Sequence, residues 1–186
     1  MICMRQVHGR KVHLVGKDDV QTGVEIGLPT ADALITATPD QLLVVQVADC
    51  QPVLLFDYRR HIVACVHSGW RGSVIDILGQ TVATMVATFN CRPADILAGI
   101  GPSLGPCCAE FRNYQTEIPR QFWPYKNDRH YFDFWAISVD QLCNAGLQKE
   151  NVEVARVCTR CHFKRYFSYR AEKVTGRFAA VIGLKT

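Results

Sequence analysis

Residues 42–70, LLVVQVADCQPVLLFDYRRHIVACVHSGW, are the clearest indication of the fold in this chain. It contains three apolar runs, at 42–48, 52–57 and 61–66. Runs this short and this rich in Val and Leu predict buried β-strands. The polar link Tyr58-Arg59-Arg60 suits a tight turn, so the second and third runs are predicted to pair as an antiparallel hairpin.

Reactive side chains stand where two of these runs end, with Asp49-Cys50 after the first and His67 after the third. A hairpin would bring the two regions alongside each other, and His8 is a third candidate upstream. Zinc favours Cys thiolate and neutral His, and a catalytic zinc keeps one position open. Spacing alone leaves two interpretations: a zinc site, or a surface histidine, a core thiol and a capping histidine.

The rest of the chain alternates between strand and helix patterns. Strands are predicted at 11–15, 31–36, 95–100, 131–134, 152–157 and 178–184. Helices are predicted at 74–89, with Ser73 as N-cap, at 110–122, where Pro119 kinks or ends the helix, and at 138–145. Because the elements intermix without a strict βαβ repeat, we expect an α/β (α+β) fold with a mixed sheet or a layered sandwich.

Composition limits the class of protein. The 186 residues, 48% hydrophobic and 20% charged, fit one globular domain. The net charge of +4 is spread along the sequence, so no nucleic-acid partner is expected. No apolar run approaches the ~20 residues that cross a bilayer, so no membrane partner is expected either. Nine cysteines without an export signal suggest free thiols and a cytoplasmic protein. The protein is expected to be a monomer.

The segment CTRCH, residues 158–162, matches the pattern of a c-type haem attachment and also half of a zinc ribbon. Haem attachment needs export, and no second close cysteine pair of that form follows. We therefore expect a pair of neighbouring thiols, or packing residues beside a pocket. The glycine-rich segment 99–106 lacks the Lys-Ser/Thr end of a P-loop and indicates phosphate binding only weakly.

Arginines and hydroxyls near two predicted elements could receive an anion. Arg71 opens the long helix, where backbone amides face outward. Ser168 and Arg170 lie in the segment FSYR near the C-terminus. Arginine suits phosphate or carboxylate because its planar fork binds two oxygens, whereas a surface ion pair is the ordinary alternative for each arginine alone.

Five motifs in order carry a family resemblance. They are QVHG (6–9), ADCQPVLL (48–55), HSGWRG (67–72), IGPSLGPCC (100–108) and the segment from CT (158–159) to FSYR (167–170). Together they cover nearly the whole chain and resemble the purine nucleoside phosphorylase family formerly described as multicopper polyphenol oxidases, the YfiH/YlmD laccase-domain family. The resemblance implies a four-layer α/β/β/α sandwich with mixed sheets.

The resemblance also implies a site and an activity. His8, Cys50 and His67 would ligate one zinc ion, with copper less favoured. The substrates would be phosphate and a purine nucleoside (adenosine, inosine, guanosine or methylthioadenosine), giving base and ribose 1-phosphate, and adenosine would also be deaminated. In this hypothesis Asp49 moves a proton and Arg170 holds phosphate, with Arg71 and Ser168 as further substrate-binding residues.

Family members usually carry several dozen residues before the QVHG motif, whereas five precede Gln6. We expect one laccase-type domain over 1–186 that can lack the earliest strands. Three alternatives remain: a hydrolase with Cys50 as nucleophile and His67 as base, a copper-dependent polyphenol oxidase, and a catalytically silent binding domain. Six histidines in the whole chain argue against several copper centres.

Overall fold

The computed structural model describes residues 1–19 and 27–185, and its main sheet is built around the predicted hairpin. Strands β4 (Gln51–Asp57) and β5 (Ile62–Ser68) pair in antiparallel fashion from one end to the other. Every residue of β5 is buried, as expected of a central strand covered on both faces. The hairpin prediction is confirmed.

Six strands form a mixed sheet, in the order β1-β2-β5-β4-β6-β7, and two more form a separate antiparallel pair, β3-β8. The remaining strands are β1 (Val12–Val15), β2 (Ala33–Thr36), β3 (Leu42–Val47), β6 (Ile96–Ile100), β7 (Val152–Val154) and β8 (Phe178–Gly183). The β1-β2 and β6-β7 pairs are parallel and the other pairs antiparallel. The expected mixed sheet is therefore present.

Helices lie on one face of the large sheet and the strand pair on the other. The α-helices are α1 (Trp70–Val74), α2 (Ile77–Phe89), α3 (Tyr114–Glu117), α4 (Phe134–Asn144) and α5 (Tyr169–Glu172). Short 3-10 helices cover Pro93–Asp95, Arg120–Tyr125 and Lys149–Asn151. One apolar core joins α2 and α4 to the sheet, and a second fills the space between the two sheets. This layering is a mixed α/β sandwich.

The helix predicted over 74–89 is wrong in one respect, because the structure divides it into α1 and α2. Asp76 adopts a left-handed φ of 55°, and its carboxylate accepts a hydrogen bond from the Gly79 amide to cap α2. Ser73 lies inside α1 and donates to the Gly69 carbonyl, so it is not the N-cap. The apolar spacing continues across the break, which hides it from periodicity.

The region between 110 and 134 also differs from the prediction. Of the helix predicted over 110–122, only the four residues of α3 are α-helical, and 120–122 belong to a 3-10 helix. Ile118 is extended before Pro119, so α3 ends before this proline, as predicted. The strand predicted over 131–134 is reduced to isolated bridges at Tyr131 and Phe132. Aromatic packing holds this region: its buried core is Ala109, Phe111, Ile118, Phe122, Phe132, Phe134 and Ile137.

The helix predicted over 138–145 is α4, which begins four residues earlier at Phe134. Asp133 caps it by accepting a hydrogen bond from the Ala136 amide, and Gly146 follows its end with a φ of 100°. The helices within 1–19 and 27–185 are all too short or too polar to span a lipid bilayer.

Candidate active site

The β4-β5 hairpin places Cys50 and His67 at the same end of the main sheet. Cys50 immediately precedes β4, and His67 lies opposite Pro52 in the register of the pair. His8 approaches from the N-terminal segment, with its Nε2 atom 3.7 Å from the Cys50 sulfur. The ligand atoms of all three side chains lie within 4.8 Å of one another. Residues from three distant parts of the sequence therefore meet at one point.

A buried carboxylate, Asp32, fixes the position of His8. Its oxygens accept hydrogen bonds from the backbone amides of Val7 (3.3 Å), His8 (2.9 Å) and Gly9 (2.7 Å). His8 itself has a φ of 57°, a left-handed conformation that the three amide contacts stabilise. Asp32 thus folds the N-terminal segment so that the imidazole of His8 faces Cys50.

Asp32 also orients His67. Its Oδ1 atom lies 2.8 Å from Nδ1 of His67, and the Asp32 side chain is fully buried. Burial opposes protonation of His67, but hydrogen bonds with Asp32 and Cys50 outweigh it and raise the pKa of His67 to about 9. The same pairing, with the Gly9 amide, outweighs burial at Asp32 and lowers the pKa of that carboxyl. With Nδ1 engaged, Nε2 of His67 is available to a ligand.

The environment of Cys50 favours the thiolate. Burial raises the pKa of the thiol, but hydrogen bonds with His67 and His8 outweigh that effect and lower the pKa to about 7. A thiolate beside two imidazoles is the form that binds a soft divalent cation, and it is also the form that acts as a nucleophile.

Gly69 leaves the room that Cys50 and His8 need. A Cβ atom at this position would lie 2.8 Å from the Cys50 sulfur and 2.9 Å from Cδ2 of His8. Only a residue without a side chain lets the loop before α1 approach both ligands this closely. The donor set, the carboxylate behind His67 and this space together fit a metal ion held by His8, Cys50 and His67.

Asp49, predicted to move a proton, has a carboxylate that is hydrogen-bonded to the C-terminal loop. Its Oδ1 atom accepts hydrogen bonds from the hydroxyls of Thr159 (2.6 Å) and Ser168 (2.7 Å). Its Oδ2 atom accepts one from the backbone amide of Arg170 (2.6 Å). The orienting carboxylate is Asp32, which lies within the strand predicted over 31–36. A charged residue inside that apolar run is the sequence signal that could have found it.

The predicted anion-binding residues occupy different positions. Ser168 is buried, and its hydroxyl donates to Asp49 and accepts from the Ala171 amide to cap α5. It therefore positions the loop and is not part of the cavity wall. Arg170 lines the cavity and donates to the Glu110 carbonyl at 2.8 Å. Arg71 also lines it, with its guanidinium 4.2 Å from the centre of the Trp70 ring system.

These groups surround a cavity of about 1060 Å³, large enough for a drug-sized ligand. In the described part of the chain, its wall has five cationic side chains and one carboxylate, Asp49, whose oxygens are already hydrogen-bonded. The cations are Arg5, Arg71, Arg170, Lys173 and Arg177. Four aromatic side chains, Trp70, Phe111, Phe134 and Tyr169, also line the cavity. The site therefore combines an anion-attracting wall with flat apolar surface.

Curated relatives and solved structures resemble the chain along most of its length. A protein named purine nucleoside phosphorylase YlmD from Geobacillus stearothermophilus is 30% identical over 98% of this chain and 71% of its own length. A purine nucleoside phosphorylase of Bacteroides thetaiotaomicron is 34% identical over 75% of this chain and 55% of its own length. The chain thus spans between about half and three quarters of these relatives.

The crystal structure of Bacillus licheniformis YfiH superposes with a TM-score of 0.91 at 28% identity, covering 99% of this chain and 74% of that one. YlmD from Geobacillus stearothermophilus gives 0.89 at 29% identity, covering 100% and 73%. These neighbours confirm the fold, and the family described as multi-copper polyphenol oxidoreductase laccase matches residues 1–185. The chain belongs to this family.

Proposed function

We propose that this chain is a zinc-dependent purine nucleoside phosphorylase that also deaminates adenosine. One observation carries the proposal: a metal-capable set of His8, Cys50 and His67 opens into a cavity with cationic and aromatic walls. The names of the relatives supply the substrate class. Phosphate and a purine nucleoside together need both kinds of wall.

Phosphate binding would depend on the cationic side chains. Arg170 is held by two contacts, its amide to Asp49 and its guanidinium to the Glu110 carbonyl, and its remaining donors are available to an anion. Arg71 and Arg177 add charge to the same wall. Holding phosphate beside the nucleoside converts a bimolecular encounter into an oriented one, which supplies much of the rate.

The base would lie against the aromatic side chains, where stacking on Trp70 or on the exposed Tyr169 contributes about 1–3 kcal/mol per base. In phosphorolysis a phosphate oxygen forms a bond to the anomeric carbon while the glycosidic bond to the purine nitrogen breaks. The purine leaves with the bonding electrons and takes up a proton, and ribose 1-phosphate remains.

His8, Cys50 and His67 would hold the zinc ion, while Asp32 keeps His67 in the tautomer that presents Nε2. The ion would supply positive charge that polarises an oxygen of the substrate or of water. Deamination is proposed at the same centre, where water replaces the amine on the purine ring and ammonia leaves. Asp49 would act through the loop that carries Arg170.

The test is incubation of the zinc-loaded protein with adenosine, with and without phosphate, followed by chromatography of the products. We expect adenine only when phosphate is present, and inosine in both cases, with part of the inosine converted to hypoxanthine when phosphate is present. Cys50→Ala should abolish both products, while the matched control Cys143→Ser, in α4 away from the site, should keep them. Equal product levels in wild type and Cys50→Ala would refute the proposal.

A Cys–His hydrolase is the second candidate. It is favoured by the spatial arrangement, in which Asp32 contacts His67 and His67 adjoins Cys50, and by a Cys50 pKa of about 7. Zinc content separates the two. Stoichiometric zinc that is lost in Cys50→Ala supports ligation, whereas an active metal-free protein that alkylation of Cys50 inactivates supports a nucleophile. Copper-dependent phenol oxidation has less support, because only His8 and His67 among the six histidines join this set.

A further inference from the structure

Four cysteines gather at a second point and form a set distinct from His8, Cys50 and His67. They are Cys107, Cys108, Cys158 and Cys161, and their sulfur atoms all lie within 4.8 Å of one another. Two come from the loop after β6 and two from the CTRCH segment. We propose that these cysteines form a structural zinc site with four thiolate ligands, which ties the two loops together.

The distances between sulfurs fit this geometry. The Cys161 sulfur lies 3.6 Å from that of Cys107 and 3.5 Å from that of Cys108. Tetrahedral zinc with Zn–S bonds of about 2.3 Å separates its sulfur ligands by about 3.8 Å, whereas a disulfide needs about 2.05 Å. The spacing therefore matches four ligands around one ion.

The backbone around Cys158 is arranged as a ligand loop. The amide of Gly105 donates a hydrogen bond to the Cys158 sulfur at 3.3 Å. Donors aimed at a sulfur stabilise the thiolate that zinc requires. Gly105 must be glycine, because a Cβ there would lie 3.0 Å from the Cβ of Cys158 and 2.8 Å from the Trp135 ring.

The arrangement would let an ion enter from solvent and would also favour its binding. Cys108 and Cys158 are buried, whereas Cys107 and Cys161 are exposed, so solvent reaches one side of the cluster. Four thiols this close cannot all ionise without a cation among them. In a reducing compartment, cysteines grouped in this way are more often metal ligands than disulfides.

The two loops that the ion would join support the candidate active site. Ser103 pairs with the second loop through hydrogen bonds from its amide to the Val157 carbonyl and from the Thr159 amide to its own carbonyl. Thr159 in turn donates to Asp49. The four-cysteine site would thus fix the base of the loop that presents Arg170.

The experiment measures metal content in a variant without the active-site ligands, so its result is independent of any enzymatic activity. His8→Ala/Cys50→Ala should retain about one zinc ion per chain after dialysis. Adding Cys161→Ser should remove it to the level of the buffer blank, while adding the control Cys143→Ser should not. Cobalt in place of zinc should give intense thiolate-to-metal charge-transfer bands in the first variant.

A second measurement does not depend on the folding of the triple variant. Titrating His8→Ala/Cys50→Ala with a mercurial reagent should release its zinc in step with the modification of cysteines. The proposal is overturned if that variant holds no zinc or cobalt after loading, if zinc survives in the Cys161→Ser variant, or if intact mass shows a Cys107–Cys161 or Cys108–Cys161 disulfide in the freshly isolated protein.

Discussion

Two carboxylates, Asp32 and Asp49, organise the candidate active site in different ways. Asp32 is fully buried, accepts from three consecutive backbone amides and contacts the ionisable side chain of His67. Asp49 is half-buried and joins residues that lie 110 to 121 positions further along the chain. Asp32 positions the candidate ligands His8 and His67, and Asp49 positions the loop that carries Arg170.

This difference separates metal binding from substrate binding. A change at Asp32 alters the charge and direction of His67 and the position of His8, so it acts on the proposed metal ion. A change at Asp49 frees Ser168 and the Arg170 backbone, so it acts on the cationic wall. The two roles are not distinct if both substitutions produce the same pattern of effects.

The largest effect is expected from Asp32→Ala. The substitution leaves three backbone amides and a buried imidazole without their acceptor, so the free energy of unfolding should fall by about 3 kcal/mol, with loss of zinc from this site. Urea unfolding measures the loss of stability. Metal analysis measures the loss of zinc and is made in the Cys161→Ser background, so that the proposed four-cysteine site holds no zinc.

Asp57→Ala is the matched control for Asp32→Ala. Asp57 is equally buried and accepts from the amides of Arg59 and Arg60 in the hairpin turn, but it contacts no candidate ligand. It should also destabilise the protein while zinc remains. Loss of zinc in both variants would mean that metal content follows stability and that Asp32 has no particular role at the ligands.

Asp49→Ala should keep zinc but lower kcat/KM for adenosine phosphorolysis by about 100-fold, because small displacements of a positioning group cost that much. Thr159→Val removes one of the three hydrogen bonds and should cost about tenfold. A rise in the KM for phosphate identifies the cationic wall as the affected part. Unchanged kinetics with a disordered loop would contradict the role given to Asp49.

The hairpin and the meeting of Cys50 with His67 could be predicted from the sequence, because strand ends and turn residues are local signals. Short apolar runs rich in Val and Leu were enough to predict most of the strands. The break at Asp76 was not predicted, since the apolar spacing of Val74, Ile77 and Leu78 continues through it. A left-handed residue inside an uninterrupted apolar pattern leaves no trace in periodicity.

The roles of single residues were harder to predict than the site. Asp49 adjoins Cys50 in sequence, yet its carboxylate is hydrogen-bonded to residues more than 100 positions away, while Asp32 orients His67. The sequence does not reveal that the CTRCH cysteines lie beside Cys107 and Cys108, because those two residues are about 50 positions upstream and do not form a CxxC pair. Tertiary pairings of this kind need the fold.

Gly69→Ala tests the metal ligands without changing either carboxylate. Its Cβ would contact the Cys50 sulfur and the His8 ring, so zinc affinity should fall by roughly 10–100-fold with both carboxylates intact. Gly99→Ala in β6 is the control, because a Cβ there meets nothing within 4 Å. Competition with a chromogenic chelator measures both variants, and equal affinities would show that the space beside Gly69 is not needed.

The smallest expected effect is a change in the alkylation of Cys50, which tests the electrostatic link from Asp32 through His67 to this thiol. In metal-free protein a Cys50 pKa of about 7 means that the thiolate persists above that pH and is lost as the pH falls through it. Iodoacetamide should therefore modify the Cys50 peptide with a pH midpoint near 7, while the Cys65 peptide, with a thiol pKa raised by burial to about 12, stays unmodified.

Asp32→Asn weakens the hydrogen bond that favours protonated His67. The pH midpoint for Cys50 should therefore move up toward the ordinary 9.0, and the alkylation rate at neutral pH should fall several-fold. A wild-type midpoint already near 9 would show that Asp32 acts on these ligands through position alone.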